Sequence, residues 1–222
     1  MKVIVFGATG MLGQGVLREC LLAADVEQVV TVGRKATGQV HAKLREIEHA
    51  DLSDLSAIAD ELGGYDACFF CLGVSSAGMS EADYRRITFD LTMAAARPLA
   101  ERNTELTFVY ISGASTDSTE QGRSMWARVK GQTENALFAL PFHGYALRPG
   151  YIQPLHGATS RTRWYRLMYV LVKPLYPVFK RLAPNAVTTT ENIGLAMLHL
   201  ARRGWPDKIL GPAEINAAAA QD

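Results

Sequence analysis

The chain has 222 residues, of which 48% are hydrophobic and 20% charged. That balance suits a single α/β-sized globule with a substantial core, and no uninterrupted apolar stretch is long enough to span a bilayer. The net charge of +1 excludes a global field that would draw in nucleic acid, so any basic surface is local.

Val3-Ile4-Val5-Phe6 is a short apolar run that reads as a buried strand. It is too short for a secretory signal and ends in Gly7-Ala8-Thr9-Gly10. A helix is expected from about Met11 to Ala24 and a second strand over Val29–Val32. A weaker third strand, Leu44–Ile47, precedes a helix over Leu52–Leu62. Ala67–Cys71 is the fourth strand, followed by a long helix over Glu81–Arg102. The fifth strand is Leu106–Ile111, the next helix runs from about Met125 to Ala136, and Gly144–Leu147 is the sixth strand. Apolar strands alternating with helices imply a parallel sheet covered on both faces. Right-handed crossovers then give a doubly wound α/β sheet through residue 150.

The texture changes after Pro149. Arg161–Pro184 mixes Trp164, Tyr165, Tyr169, Tyr176 and Phe179 with basic residues, interrupted by Pro174 and Pro177. Three readings stand: a packed helix pair with outward basic side chains, an apolar substrate pocket, or a peripheral membrane contact over 161–181. Thr190 is the expected N-cap of a helix over Ile193–Ala201, and Ala217–Ala220 reads as a frayed tail. Residues 151–222 are expected to form a small cap on the substrate side of the same domain, not a second domain.

Three cysteines, Cys20, Cys68 and Cys71, provide no disulfide framework and fit a reducing, cytoplasmic setting. Cys68 and Cys71 lie three apart on a strand and so point to opposite faces. They are expected to be buried apolar side chains, with no metal site.

Gly7, Gly10 and Gly13 form G-x-x-G-x-x-G between a strand and a helix. In that setting the pattern indicates dinucleotide binding. Thr9, Gly10, Met11, Leu12 and Gly13 then present a helix N-terminus to a pyrophosphate. The second strand ends in Val32-Gly33-Arg34-Lys35. An acid at that point would bond a ribose 2′-hydroxyl; here two cations stand instead, which favours a 2′-phosphate and hence NADP(H). Asp51 reads two ways, as acceptor for the adenine amino group beside Leu52 or as a helix N-cap. Cys71-Leu72-Gly73 closes the fourth strand at the sheet edge where open sheets bind ligands.

Together with Leu147-Arg148-Pro149-Gly150, these motifs resemble the short-chain dehydrogenase/reductase superfamily, a Rossmann fold. The match is nearest its atypical, epimerase/dehydratase-like branch, the oxidoreductases similar to Tat-interacting protein. The resemblance implies a serine after strand five and a tyrosine and lysine four apart on the next helix. Ser112 and Lys130 fit that pattern, and Trp126 holds the tyrosine's place. It also implies that Lys130 meets the nicotinamide ribose, that Ser112 orients a carbonyl, and that Pro149 lies near the cofactor. Indole N–H is a donor that does not titrate near neutral pH, so the usual proton carrier is missing. Tyr84, Tyr151 and His156 are candidates for a relocated acid, although each is more simply a packed residue. Two functions follow: an NADP(H)-dependent oxidoreductase acting on a carbonyl or alcohol, or a non-catalytic NADP(H)-binding sensor or interaction protein.

Overall fold

The computed structural model describes residues 1–159 and 186–222. The aromatic and basic stretch Arg161–Pro184, with its expected pocket or lipid contact, lies outside the described residues.

Seven described strands form one parallel sheet: β1 (Lys2–Phe6), β2 (Gln28–Gly33), β3 (Leu44–Glu48), β4 (Ala67–Phe70), β5 (Thr107–Ile111), β6 (His143–Leu147) and β9 (Ile209–Leu210). Their order is β3-β2-β1-β4-β5-β6-β9, so the chain reverses its winding direction between β1 and β4. This is the expected doubly wound Rossmann-like sheet. A separate parallel pair joins β7 (Tyr151–Gln153) to β8 (Val187–Thr189).

The inner strands β1, β4 and β5 read as near-continuous apolar runs because both faces are buried, whereas the edge strand β3 carries Arg45, Glu46 and Glu48. Val3 and Val5 of β1 join one layer with Phe69 and Val109, while Ile4 and Phe6 join the other with Phe70 and Phe108. The first layer lies under α1 (Met11–Leu22), α5 (Thr190–Arg203) and α6 (Pro212–Ala219); α3 (Leu91–Arg102) contributes to the second. Glycines let α1 and α5 cross closely. A Cβ on Gly15 would stand 2.7 Å from the Thr190 Cβ, and one on Gly194 2.6 Å from the Glu19 Cγ.

Several local expectations give way to identifiable competitors. The helix expected over Leu52–Leu62 is a 3₁₀ helix confined to Ser56–Leu62. Asp51 and Asp54 each accept a backbone N–H two residues on, from Ser53 and Ser56, both at 2.9 Å. Those side-chain bonds hold turns where an α-helix would need its own ladder. The long helix expected over Glu81–Arg102 is α2 (Glu81–Arg85), a π turn (Arg86–Asp90) and α3. At that turn the Thr92 hydroxyl donates to the Thr88 carbonyl at 2.5 Å. The N-cap of α5 is Thr189, whose Oγ1 accepts the Asn192 N–H at 2.9 Å. Thr190, expected in that role, is buried and accepts the Leu155 N–H at 3.0 Å. The supposed frayed tail is mostly α6, with Ala218 fully buried and Ala219 nearly so.

Cys68 and Cys71 do pack into opposite layers. Burial pushes the Cys71 thiol up to about 12 and the Cys68 thiol well above its usual value, which leaves both as apolar thiols.

Candidate functional site

The turn from β1 into α1 has two kinds of glycine. Gly7 sits at φ +79, a left-handed conformation, and a Cβ there would stand 2.8 Å from the backbone of Cys71 and Leu72. A Cβ on Gly13 would collide with the Gly7 carbonyl. These two glycines press the turn against the end of β4 and the start of α1. Gly10 differs: its φ of −80 suits any residue, and a Cβ would meet only the Gly7 carbonyl oxygen, at 3.3 Å. The space above Gly10 is therefore open to a ligand.

Gly10 is the N-cap of α1, and no side chain caps the helix. Its N–H donates to the Gly7 carbonyl at 2.9 Å, and the first helical bond, Gln14 N–H to the Gly10 carbonyl, is 2.8 Å. The N–H groups of Met11, Leu12 and Gly13 thus have no intrahelical acceptor. They and the positive end of the helix dipole form a cradle for an anion such as a pyrophosphate. The Thr9 carbonyl, just before the cradle, accepts Gln14 Nε2 at 3.1 Å.

Arg34 and Lys35 follow β2 directly and are exposed, with no ion-pair partner among the described residues. Glu46 on β3 accepts the Thr37 N–H at 2.7 Å and the Thr31 hydroxyl at 3.1 Å, and so anchors their loop. Asp51 is exposed and bonds the Ser53 N–H at 2.9 Å and its hydroxyl at 2.5 Å. Those bonds hold its carboxyl below the usual carboxylate range. Asp51 stabilises a local turn, not the 3₁₀ helix that begins at Ser56. Leu52 is buried in the second core layer. Cys71 adds one more rung to the sheet by donating to the Phe6 carbonyl at 2.9 Å. Leu72 is partly buried, and Gly73 is exposed with open space around it. A cleft of about 550 Å³ adjoins the turn, lined in part by Thr9, Gln14, Thr37, His156 and Glu191.

The second half of the site lies at the end of β5, where α4 (Met125–Phe138) brings three residues together. Lys130 Nζ donates to the Ser112 carbonyl at 2.6 Å and lies 5.9 Å from the Tyr110 ring centroid. Burial pushes the Lys130 ammonium down to about 8, opposed by the nearby Glu134 carboxylate. Trp126, one turn earlier, is partly buried; its ring stands 3.7 Å from where a Cβ on Gly113 would be. Pro149 is buried and its carbonyl accepts the Ala114 N–H at 3.1 Å, which ties the loop after β5 to the end of β6.

Ser112 is nearly buried, and its hydroxyl lies 2.5 Å from Glu134 Oε1 and 3.2 Å from the Leu147 carbonyl. Glu134 is fully buried and also accepts Arg148 Nε at 3.0 Å and Nη2 at 2.5 Å. Arg148 reaches the Ser118 hydroxyl as well. Sequence reasoning missed this Glu134–Arg148 pair. The available signal was the spacing of Trp126, Lys130 and Glu134 at four-residue steps, which places all three on one helical face.

The three candidates for a relocated acid are dispersed. Tyr84 is buried, which raises its phenol above the usual value. Tyr151 donates its hydroxyl to Gln153 Oε1 at 3.0 Å. His156 has φ +53 and places Nε2 2.5 Å from Glu191 Oε2, on the cleft beside Thr9.

The model of the NAD dependent epimerase/dehydratase family matches residues 3–131, in accord with the resemblance drawn from the motifs. Protein FMP52-1, mitochondrial, of Scheffersomyces stipitis is 29% identical over 153 residues, 68% of this chain and 66% of that protein. The chain thus spans just under two thirds of that relative's length. Protein FMP52, mitochondrial, of Saccharomyces cerevisiae is 30% identical over 171 residues, 73% of this chain and 69% of that protein. Among solved structures, the Bordetella bronchiseptica enzyme WbmF in complex with NAD+ aligns with TM-score 0.67 at 18% identity, over 99% of this chain and 77% of that one. MoeE5 in complex with UDP-glucose and NAD aligns with TM-score 0.67 at 17% identity, over the whole of this chain and 81% of that one. At such identities the likeness concerns the fold. The expectation of a cytoplasmic location is overturned by the relatives, which are named mitochondrial. No helix among the described residues is long and apolar enough to cross a membrane. With more than half of its residues inside the matched model, the chain belongs to the NAD dependent epimerase/dehydratase family.

Proposed function

We propose that this chain is an NADP(H)-dependent oxidoreductase acting on a carbonyl or alcohol, with Trp126 in the position that the short-chain dehydrogenases give to tyrosine. The observation that carries the cofactor choice is the end of β2. Two exposed cations, Arg34 and Lys35, stand there, and no acidic residue occupies that strand end. A 2′-phosphate would meet charge-assisted bonds at this point. The uncapped turn at Gly10 would hold the pyrophosphate through the N–H groups of Met11, Leu12 and Gly13. Lys130 would meet the nicotinamide ribose, and Gly73 and Pro149 would border it. When bound, the nicotinamide donates or accepts the hydride. Ser112 orients the carbonyl if its hydroxyl turns from Glu134. The substrate class is a small molecule that bears the carbonyl or alcohol.

A second reading is a non-catalytic NADP(H)-binding sensor or interaction protein. It draws on the same region: the Ser112 hydroxyl is engaged by Glu134, and Trp126 does not titrate near neutral pH. Steady-state kinetics with NADPH and a carbonyl panel separates the two, with Trp126→Tyr run beside the native chain. The oxidoreductase reading expects slow native turnover that the tyrosine raises by about 10-fold or more, within the ~10²–10⁴-fold that acid–base groups supply. Tight NADPH binding with no turnover by either protein refutes it in favour of the sensor.

A further inference from the structure

We propose that Lys130 is itself the proton donor to the substrate oxygen, taking over the step that a tyrosine performs elsewhere in the superfamily. The inference rests on the oxidoreductase reading above. It starts from which groups at the carboxyl edge of β5 can release a proton. Trp126 has an indole N–H that does not titrate in the working range. The Ser112 hydroxyl sits against a buried carboxylate that is already paired with Arg148. Tyr84 and Tyr110 are both buried almost completely, and burial raises both phenols. Lys130 alone among these combines a titratable head with partial exposure at the site.

Its geometry leaves capacity for the task. An ammonium has three N–H donors. One is given to the Ser112 carbonyl at 2.6 Å, and two remain, one for a ribose hydroxyl and one for a substrate oxygen. As a hydride from the reduced dinucleotide forms the new C–H bond, the carbonyl electron pair moves onto oxygen. That oxygen takes a proton from Nζ, giving the alcohol and a neutral amine. The amine recovers its proton from solvent, which its partial exposure permits. Oxidation of the alcohol runs the same path backwards.

The groups that set the charge of Lys130 come from each packed element. Glu134 on α4 favours the ammonium and burial disfavours it. Tyr110 of β5 lies beneath it as a neutral phenol, Tyr84 of α2 is close to Tyr110, and Arg148 neutralises part of the Glu134 charge. The outcome, about 8, is near the pH at which a general acid works best.

The test uses the full chain with three readouts. In protein labelled with ¹³Cε-lysine, one resonance should titrate near pH 8 and disappear in Lys130→Arg. Calorimetry with NADPH should show the arginine variant binding within about tenfold of native, because the charge is kept. Its turnover of 4-nitrobenzaldehyde and hexanal should fall by ~10²-fold or more, without the native break in the pH–rate profile near 8. The proposal is overturned if every lysine titrates at its usual value, or if Lys130→Arg keeps native turnover and pH profile. Native protein that binds NADPH yet reduces neither aldehyde also overturns it, while leaving dinucleotide binding intact. Failure to bind NADPH at all overturns the underlying functional reading instead.

Discussion

Replacing Arg148 by methionine would remove the cation that neutralises Glu134. The carboxylate is fully buried and accepts two bonds from the guanidinium, at 3.0 and 2.5 Å, besides the Ser112 hydroxyl at 2.5 Å. Methionine matches much of the aliphatic stem and offers no donor. What remains is a buried charge with one neutral hydrogen bond and, nearby, the Lys130 ammonium, which burial itself disfavours. Breaking such a pair from one side costs roughly 3–5 kcal/mol, whereas replacing both partners by apolar groups can be close to neutral. Arg148→Met should therefore lower the unfolding free energy by roughly 3–5 kcal/mol, and the Arg148→Met/Glu134→Leu double variant should recover a large part of that loss. For a domain of this size each kcal/mol shifts Tm by roughly 2–4 °C, so the single variant should melt roughly 6–20 °C lower. Urea unfolding of the native protein and the single and double variants measures the coupling directly. A single variant within about 1 kcal/mol of native, at the level of an exposed ion pair, would refute the claim that this is a buried, charge-neutralising contact.

NADPH should bind more tightly than NADH, and Arg34→Ala should remove most of the difference, a loss of about 1.5–3 kcal/mol for one charged hydrogen bond. Equal calorimetric affinities in the native protein would discard the 2′-phosphate assignment. Gly10→Val should keep its circular dichroism, since the backbone there suits any residue and the new Cβ need yield only slightly to the Gly7 carbonyl. It should lose dinucleotide binding because the branched side chain fills the approach to the cradle. Lys130→Met should weaken NADPH binding by about 1.5–3 kcal/mol while stabilising the dinucleotide-free fold. Its folded value, about 8, lies below the unfolded one near 10.4. The native lysine's contribution to stability is thus complete only above about pH 10.4 and lost as pH falls through 8. At pH 7 the variant should be more stable by about 1–3 kcal/mol. That advantage should fade between pH 8 and 10.4, as read from denaturation midpoints across the range.

The sheet and the glycine turn were legible in the sequence because each follows from local chemistry. Val3–Phe6 of β1, all of β4 and Phe108–Ile111 of β5 are short apolar runs, as burial on both faces requires. Gly7, Gly10 and Gly13 fall at the junction of a strand and a helix, a spacing that can be read from the chain, although close backbone packing demands glycine only at Gly7 and Gly13. Trp126 and Lys130 could be placed on one helical face by counting alone. Other features depend on partners distant in sequence. The division of labour among the glycines needed the approach of Cys71 and Leu72 to Gly7. The engagement of Ser112 by Glu134, and of Glu134 by Arg148, joins residues 22 and 14 positions apart. Thr190 has the chemistry of a cap but is buried as a partner for Leu155, and Thr189 caps instead. The alanines of α6 carry no pattern that distinguishes a tail from a buried helix until α5 and the sheet are there to cover them. Local propensity and periodicity depend on neighbours a few bonds away and can be read from the chain. Burial, charge pairing and the state of a lysine depend on what the fold brings alongside, so only the tertiary structure decides them.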